Sequence, residues 1–500
     1  MESLTNLLNG FSIALSPENL LFAFLGVLVG TLIGVLPGIG PVAAISILLP
    51  STYRINPVGG IIMLAGIYYG AQYGGSTTSI LVNIPGEASS VVTCLDGYQM
   101  ARKGRAGPAL GMAAFGSFIA GTVSVIGLML LASPLAKAAI EFGPPEYFAL
   151  MCLGLTMPIY LAHGSILKAL QMALLGLFLS SIGMDVLVGT PRLTFGIIDL
   201  ADGIGLVPLV MGVFGISEVL LNLEQTLSRQ IFETKIRNLL PNLRDWTQSV
   251  WPITRGTVIG FLLGILPGGG AIIASFTSYA VEKKLSRHPE KFGTGTIEGV
   301  AGPESANNAA VGGSFIPLFS LGIPPNVVMA LLLGALMIHG VQPGPLMLSQ
   351  HPDIFWGVVA SMYIGNVMLL LLNLPLIGVW VQILKIPYPI LFPLILLFTI
   401  IGSYSINNSV FDVFLMVFFG VLGYALRKLE YEFAPLILAF VLGPILERSL
   451  RQSLGLSDGS FAIFMQRPIA AVCILVSIVL LLSALVPYLR KVREVVAKEE

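Results

Sequence analysis

The side chains best suited to chemistry lie in two polar islands inside apolar sequence. One island is Glu298–Pro325, EGVAGPESANNAAVGGSFIPLFSLGIPP, with Glu304, Asn307, Asn308 and Ser314 beside Pro317, Pro324 and Pro325. From Ser305 to Pro352 there is no Asp, Glu, Lys or Arg. The island reads as neither a good soluble loop nor a good membrane helix. Lipid cannot satisfy its amides or the backbone groups that prolines free, so it must be buried in protein or line a wet cavity. The other island carries Gln72, Ser76, Thr77, Thr78, Ser79 and Asn83, followed by Gly86 and Glu87. Such hydroxyls and amides suit non-covalent binding. Glu87 and Glu304, at the edges of the islands, could carry a proton or ligate a cation; the plainer reading of each is a charge at a hairpin end.

The sequence around the islands is that of a membrane protein. Hydrophobic residues make up 55% of the 500 and charged residues 10%, against about 25% charged in a soluble protein. Mean hydropathy is +0.89. Uncharged runs recur at Asn19–Tyr53, Ile55–Gly86, Ala106–Ala136, Gly256–Val281, Ile354–Leu384, Ile386–Phe411 and Pro468–Leu489. Their spacing predicts an all-α polytopic fold with roughly ten to thirteen transmembrane or re-entrant helices. An outer-membrane barrel would show short alternating strands instead. The N-terminus lacks the basic region of a cleavable signal, so the first helix is expected to stay in the membrane.

Glycine recurs every fourth residue at Gly26, Gly30, Gly34 and Gly38, and the run then breaks at Pro37-Gly38-Ile39-Gly40. At an offset of 230, Gly256, Gly260, Gly264 and Gly268 repeat the spacing, Leu266-Pro267-Gly268 repeats Leu36-Pro37-Gly38, and Gly270 matches Gly40. The second landmark recurs too: Tyr73-Gly74-Gly75-Ser76 and Ile84-Pro85 match Val311-Gly312-Gly313-Ser314 and Ile323-Pro324. We read an internal duplication: a first membrane repeat over 1–222, a polar linker over 223–255 and a second repeat over 256–500. The glycine ridges also suit close helix packing. Arg255 and Lys283–Arg287 flank the segment Gly256–Val281. With both flanks cytoplasmic, that segment enters and returns as a hairpin with Pro267–Gly270 at its tip. Basic residues after Arg490 place the C-terminus in the cytoplasm by the same rule.

Several activities are poorly supported. Zero net charge gives no reason to expect nucleic acid, and Cys94, Cys152 and Cys473 are scattered in apolar sequence. Gly38-Ile39-Gly40-Pro41-Val42-Ala43 fits a dinucleotide fingerprint but follows an apolar helix, not a strand. Asp199 and Asp202 form a lone acidic pair, and no nucleotide-binding loop, zinc motif or catalytic triad stands out. The expectation is therefore a non-enzyme with no catalytic residue and no cofactor. A helix broken inside a membrane presents free N–H groups at the positive end of a dipole, a setting for a carboxylate. Expected substrate-binding residues are Gly38, Gly40, Ser76, Thr77, Thr78, Asn83, Gly268, Gly270, Asn307, Asn308 and Ser314, with Glu87 and Glu304 as ion-coupling candidates for Na⁺ or H⁺. A secondary transporter of an organic anion leads; an anion channel or a membrane-embedded enzyme is the alternative.

The segments GTLIGVLPGIGP, DGYQMARKGRAGPAL and GILPGGG, with the whole of Glu298–Pro325, resemble the large membrane subunit of tripartite tricarboxylate transporters. The resemblance runs from about residue 20 to beyond 440. It implies a multi-pass protein of the bacterial inner membrane that works with a small four-helix membrane subunit and a periplasmic solute-binding protein. It implies gradient-driven uptake of carboxylates such as citrate. One position departs from it: Pro325 follows Gly322-Ile323-Pro324 where the family pattern expects glycine. A second proline stiffens that turn and removes an N–H.

Overall fold

The computed structural model describes residues 2–36, 40–162, 165–185, 187–224, 239–268, 270–383 and 388–485. Gly38, residues 225–238 of the expected linker and the basic C-terminal tail lie outside the described residues. The chain is almost wholly helical. It runs through α1 (Glu2–Ala14), α2 (Pro17–Val35), α3 (Gly40–Thr52), α4 (Pro57–Val82), α5 (Val91–Arg102), α6 (Ala106–Ala139), α7 (Pro144–Leu161) and α8 (Ile166–Ser180). A small antiparallel pair follows, β1 (Gly183–Met184) with β2 (Pro191–Arg192). Helices α9 (Leu206–Val210) and α10 (Ser217–Glu224) are joined by a π turn at Met211–Ile216. Then come α11 (Leu243–Ile265), α12 (Gly270–Leu285), α13 (Glu298–Leu321), α14 (Val327–Ile338), α15 (Met347–Gln350) and α16 (Pro352–Asn373). The last elements are α17 (Ile377–Ile383), α18 (Tyr388–Asn407), α19 (Val410–Lys428), α20 (Ala434–Leu456), α21 (Ile463–Gln466) and α22 (Pro468–Leu485).

Among the described residues, five spans are long and apolar enough to cross a bilayer: Pro17–Val35, Ala106–Ala139, Leu206–Glu224, Pro352–Asn373 and Val410–Lys428. Shorter apolar helices, α3, α8 and α14 among them, stand beside these. The two islands form the middle of the protein. Helix α4 is buried from Val58 to Leu81, and α13 from Gly299 to Ser320. The Glu298–Pro325 island is thus one continuous helix up to Leu321, where its prolines had suggested poor helix. Protein rather than lipid surrounds it, which meets the constraint on its polar groups. Pro303 and Pro317 lie inside it, and each has glycine four residues before, Gly299 and Gly313. Those glycines carry no Cβ where a proline ring crowds the preceding turn. The break comes at Gly322, a left-handed cap with φ of 71°.

The glycine ridges lay backbone on backbone. A methyl group at Gly30 would lie 2.9 Å from Cα of Ile67 in α4. One at Gly260 or Gly264 would lie 2.7 Å from Cα of Ala306 or Ala310 in α13. So α2 rests on α4, and α11 rests on α13, at the same glycine spacing. Helices α11 and α12 form the expected hairpin. Arg255 on the descending leg grips Glu282 on the returning one, Nε to Oε1 at 2.7 Å and Nη2 to Oε2 at 2.5 Å. The two flanks of Gly256–Val281 therefore meet on one side, and Pro267, Gly268 and Gly270 lie at the far end. Helix α11 begins at Leu243, within the stretch read as linker, with Asn242 as N-cap on Asp245 N at 2.9 Å.

Substituting Gly264→Leu should lower the thermal midpoint in detergent and reduce assembled protein, since overpacking costs about 1–3 kcal/mol or more against an unyielding backbone. Gly378→Ala, with open space around it, should change neither. Fluorescence-detected size exclusion with heating checks both.

Candidate functional site

The chain breaks of both islands converge on one cavity of about 500 Å³. Gly40 and Pro41, at the start of α3, line it, as do Gly268, Gly270 and Ala271 at the tip of the α11–α12 hairpin. Pro325, Asn326 and Val327, the start of α14, form a third corner, and the turn Pro85–Ser89 a fourth. Three helices, α3, α12 and α14, thus begin at its wall, so positive dipole ends lie beside the space. Glycine is required at the breaks. Gly40, Gly268 and Gly270 hold φ of 64°, 79° and 53°, where a side chain costs about 1–2 kcal/mol. Gly268 N donates to Pro325 O at 2.8 Å, tying the hairpin tip to the turn before α14. The unexpected proline contributes here through its carbonyl.

Among the described residues, the charged side chains on the wall are three acids, Glu87, Glu218 and Glu432, and one base, Arg427. Asn326 caps α14 through Oδ1 on Met329 N at 3.0 Å, and its Nδ2 reaches the Tyr68 hydroxyl at 3.3 Å. Gln72 donates to Glu87 Oε2 at 3.0 Å, and the Ser89 hydroxyl lies between Glu87 and Gln72, 2.7 Å from Gln72 Oε1. Arg427 of α19 is the one Lys or Arg among the described lining residues, and it is paired with Glu218 of α10. Phe214, in the π turn before Glu218, lines the same side.

The expected site residues fall into separate groups. Gly40, Gly268, Gly270 and Glu87 line the cavity. Ser76, Asn307, Asn308 and Glu304 form a buried cluster behind the α4 wall. There Glu304, wholly buried, accepts from Ser76 Oγ at 2.5 Å and from Asn307 Nδ2 at 3.3 Å, and Thr93 of α5 bonds its other oxygen. Asn308 Nδ2 reaches Ser117 Oγ at 2.7 Å. Among the described residues no Lys, Arg or His pairs with Glu304. Thr77 lies beside this cluster, lining a small void with Ser76. Thr78 donates to the carbonyls of Gly34 and Val35 at 3.3 and 3.2 Å, meeting carbonyls that the end of α2 leaves free. Ser314 is buried and bonds Val311 O at 2.7 Å. Asn83 is the exposed left-handed cap of α4.

Sequence reasoning did not single out Tyr68, Arg427, Glu218 or Asp96. Asp96, fully buried on α5, accepts from the N–H groups of Gly293, Gly295 and Thr296 at 3.0, 2.7 and 2.9 Å and from the Tyr279 hydroxyl at 2.9 Å. It anchors the loop before α13 to the first half. Its signal was the only acid in DGYQMARKGR, a segment that reads as a basic connector. Asp96→Ala should leave these donors unpaired and destabilise the protein by about 3 kcal/mol or more, measured as a lower thermal midpoint and reduced yield.

Against this geometry the comparisons are specific. The chain matches the model of the "Tripartite tricarboxylate transporter TctA family" over residues 20–438. It is 53% identical over 500 residues, all of both chains, to an uncharacterized 52.8 kDa protein of the TAR-I ttuC′ 3′ region of Agrobacterium vitis. It is 54% identical over 241 residues to an uncharacterized protein of the TAR-II ttuC′ 3′ region of the same organism, covering 48% of this chain and 100% of that one. No solved structure matches it. The chain is a multi-pass membrane protein that belongs to the tripartite tricarboxylate transporter TctA family.

Proposed function

We propose that this chain is the transport subunit of a tripartite carrier that imports a carboxylate, a tricarboxylate or related organic anion, across the bacterial inner membrane. A periplasmic solute-binding protein delivers the substrate, a small membrane subunit completes the complex, and a Na⁺ or proton gradient drives uptake. The C-terminus lies in the cytoplasm. The observation that carries the reading is the cavity where three helix N-termini, from α3, α12 and α14, meet. Backbone N–H groups at such ends bind carboxylates without a full positive charge, which eases release.

The volume suits a small polyanion, since ligand pockets run about 300–1,000 Å³. Arg427 supplies one charged fork, held ready by Glu218. A carboxylate entering the cavity would compete with Glu218 for that guanidinium. Glu87, also on the wall, repels an anion unless a proton or cation accompanies it, which links substrate to gradient. The matched glycine ridges of α2 and α11 support duplicated halves, whose hairpin tips change the exposure of the cavity in alternating access. An elevator-like displacement of the two hairpins fits this arrangement.

Arg427→Gln should weaken binding of radiolabelled citrate or a related carboxylate to the purified protein by about tenfold or more, the value of one charge-assisted contact. Lys428→Gln, whose exposed side chain pairs with Glu224 at 2.7 Å, should leave affinity unchanged. Equal affinity in wild type and Arg427→Gln would remove Arg427 from the site.

A further inference from the structure

Behind the α4 wall, the packing leaves a second void of about 10 Å³. It has room for one water-sized particle. Five polar side chains line it: Tyr73, Ser76 and Thr77 of α4, Ser117 of α6 and Asn373 of α16. Two of these end in buried oxygens with no hydrogen-bond partner, the Tyr73 hydroxyl and Asn373 Oδ1. Tyr73 is 3% exposed and Asn373 5%. The Asn373 amide is oriented by its own Nδ2, which donates to Leu369 O at 2.9 Å, so the oxygen is the atom left over. Buried polar atoms without partners are rare, and each asks for a missing ligand.

The surroundings define that ligand. Every lining polar group offers oxygen, and no Lys, Arg or His lines the void. The Glu304 carboxylate stands directly behind Ser76 at 2.5 Å, buried and without a cationic partner among the described residues. Oxygen ligands with an adjacent uncompensated carboxylate suit a small hard cation.

We propose that this void binds the coupling cation as a dehydrated Na⁺. Its ligands are the hydroxyls of Tyr73, Ser76, Thr77 and Ser117 and the side-chain carbonyl of Asn373, and Glu304 balances its charge. The proposal rests on the transport reading and adds the identity and place of the ion. Its position explains coupling. Ser76 lies one turn beyond Gln72, which faces the large cavity, and Ser76 Oγ reaches Gln72 O at 3.2 Å. An ion here joins α4, α6 and α16, with its counter-charge on α13, so its presence fixes the wall against which substrate binds.

The test is binding of radioactive Na⁺ to the purified full-length chain by scintillation proximity, at constant ionic strength. The expected result is saturable binding displaced by unlabelled Na⁺ and not by K⁺. Tyr73→Phe and Asn373→Leu should each lower Na⁺ affinity about tenfold or more. Both remove an oxygen that bonds nothing in the fold, so a merely structural role predicts unchanged Na⁺ affinity and equal or better thermal stability. Absent Na⁺ binding, or identical titrations in wild type and both variants, would overturn the site and leave a water in the void. Na⁺-driven uptake that both variants retain with wild-type Na⁺ dependence would overturn the site while leaving the transport reading intact. Na⁺ binding lost in both variants would support the site even where no gradient drives uptake, and would then count against transport alone.

Discussion

A helix that stops inside a bilayer leaves unpaired N–H groups on one side of the gap and unpaired carbonyls on the other, and lipid accepts neither. This chain stops helices at Val35, Ile265 and Leu321, so each gap must be enclosed by protein. The glycine ridges provide the enclosure. They bring α2 onto α4 and α11 onto α13 at backbone contact, which seats α2 and α11 against the central helices. Thr78 then meets the carbonyls at the end of α2, and the Pro325 carbonyl meets Gly268 N. The first residues of α3, α12 and α14 line the cavity, so the same constraint that makes breaks costly gathers three helix starts at one place.

The two acids differ in location. Glu87 sits on the cavity wall with Gln72 and Ser89. Glu304 is sealed among Ser76, Thr93 and Asn307, where groups from both halves touch one side chain. Asp96 makes a second cross-link of this kind, from α5 to the loop before α13. Each cross-link ties elements far apart in the sequence, and removing its acid leaves buried donors unpaired.

Much of the fold was legible because its signals are local. Runs without charge mark helices, Pro-Gly marks a break, and glycine at every fourth residue marks a contact face. The positions of Gly40, Gly268, Gly270 and Glu87 on the cavity follow from such signals. The continuity of α13 was harder to see, because Pro303 and Pro317 read as breakers until the glycines before them and the enclosing helices are known. Arg427, Tyr68 and Asn373 were not legible. Arg427 and Tyr68 are ordinary residues of apolar helices whose meaning comes from a partner far away in sequence, Glu218 and Asn326, and Asn373 from the distant α4 and α6 residues that share its void. Asn307, Asn308 and Ser76 were recognised as significant but belong to the buried cluster behind the wall, a distinction that only the helix rotation reveals.

The most direct test of the account is accumulation of radiolabelled carboxylate in proteoliposomes that hold this chain and its small membrane partner, with solute-binding protein added outside. Na⁺ and proton gradients are imposed separately. The account predicts concentration of substrate above the external level, under one gradient and only with the binding protein present. Equilibration without accumulation, indifferent to both gradients, would contradict it and make the cavity part of a passive pore.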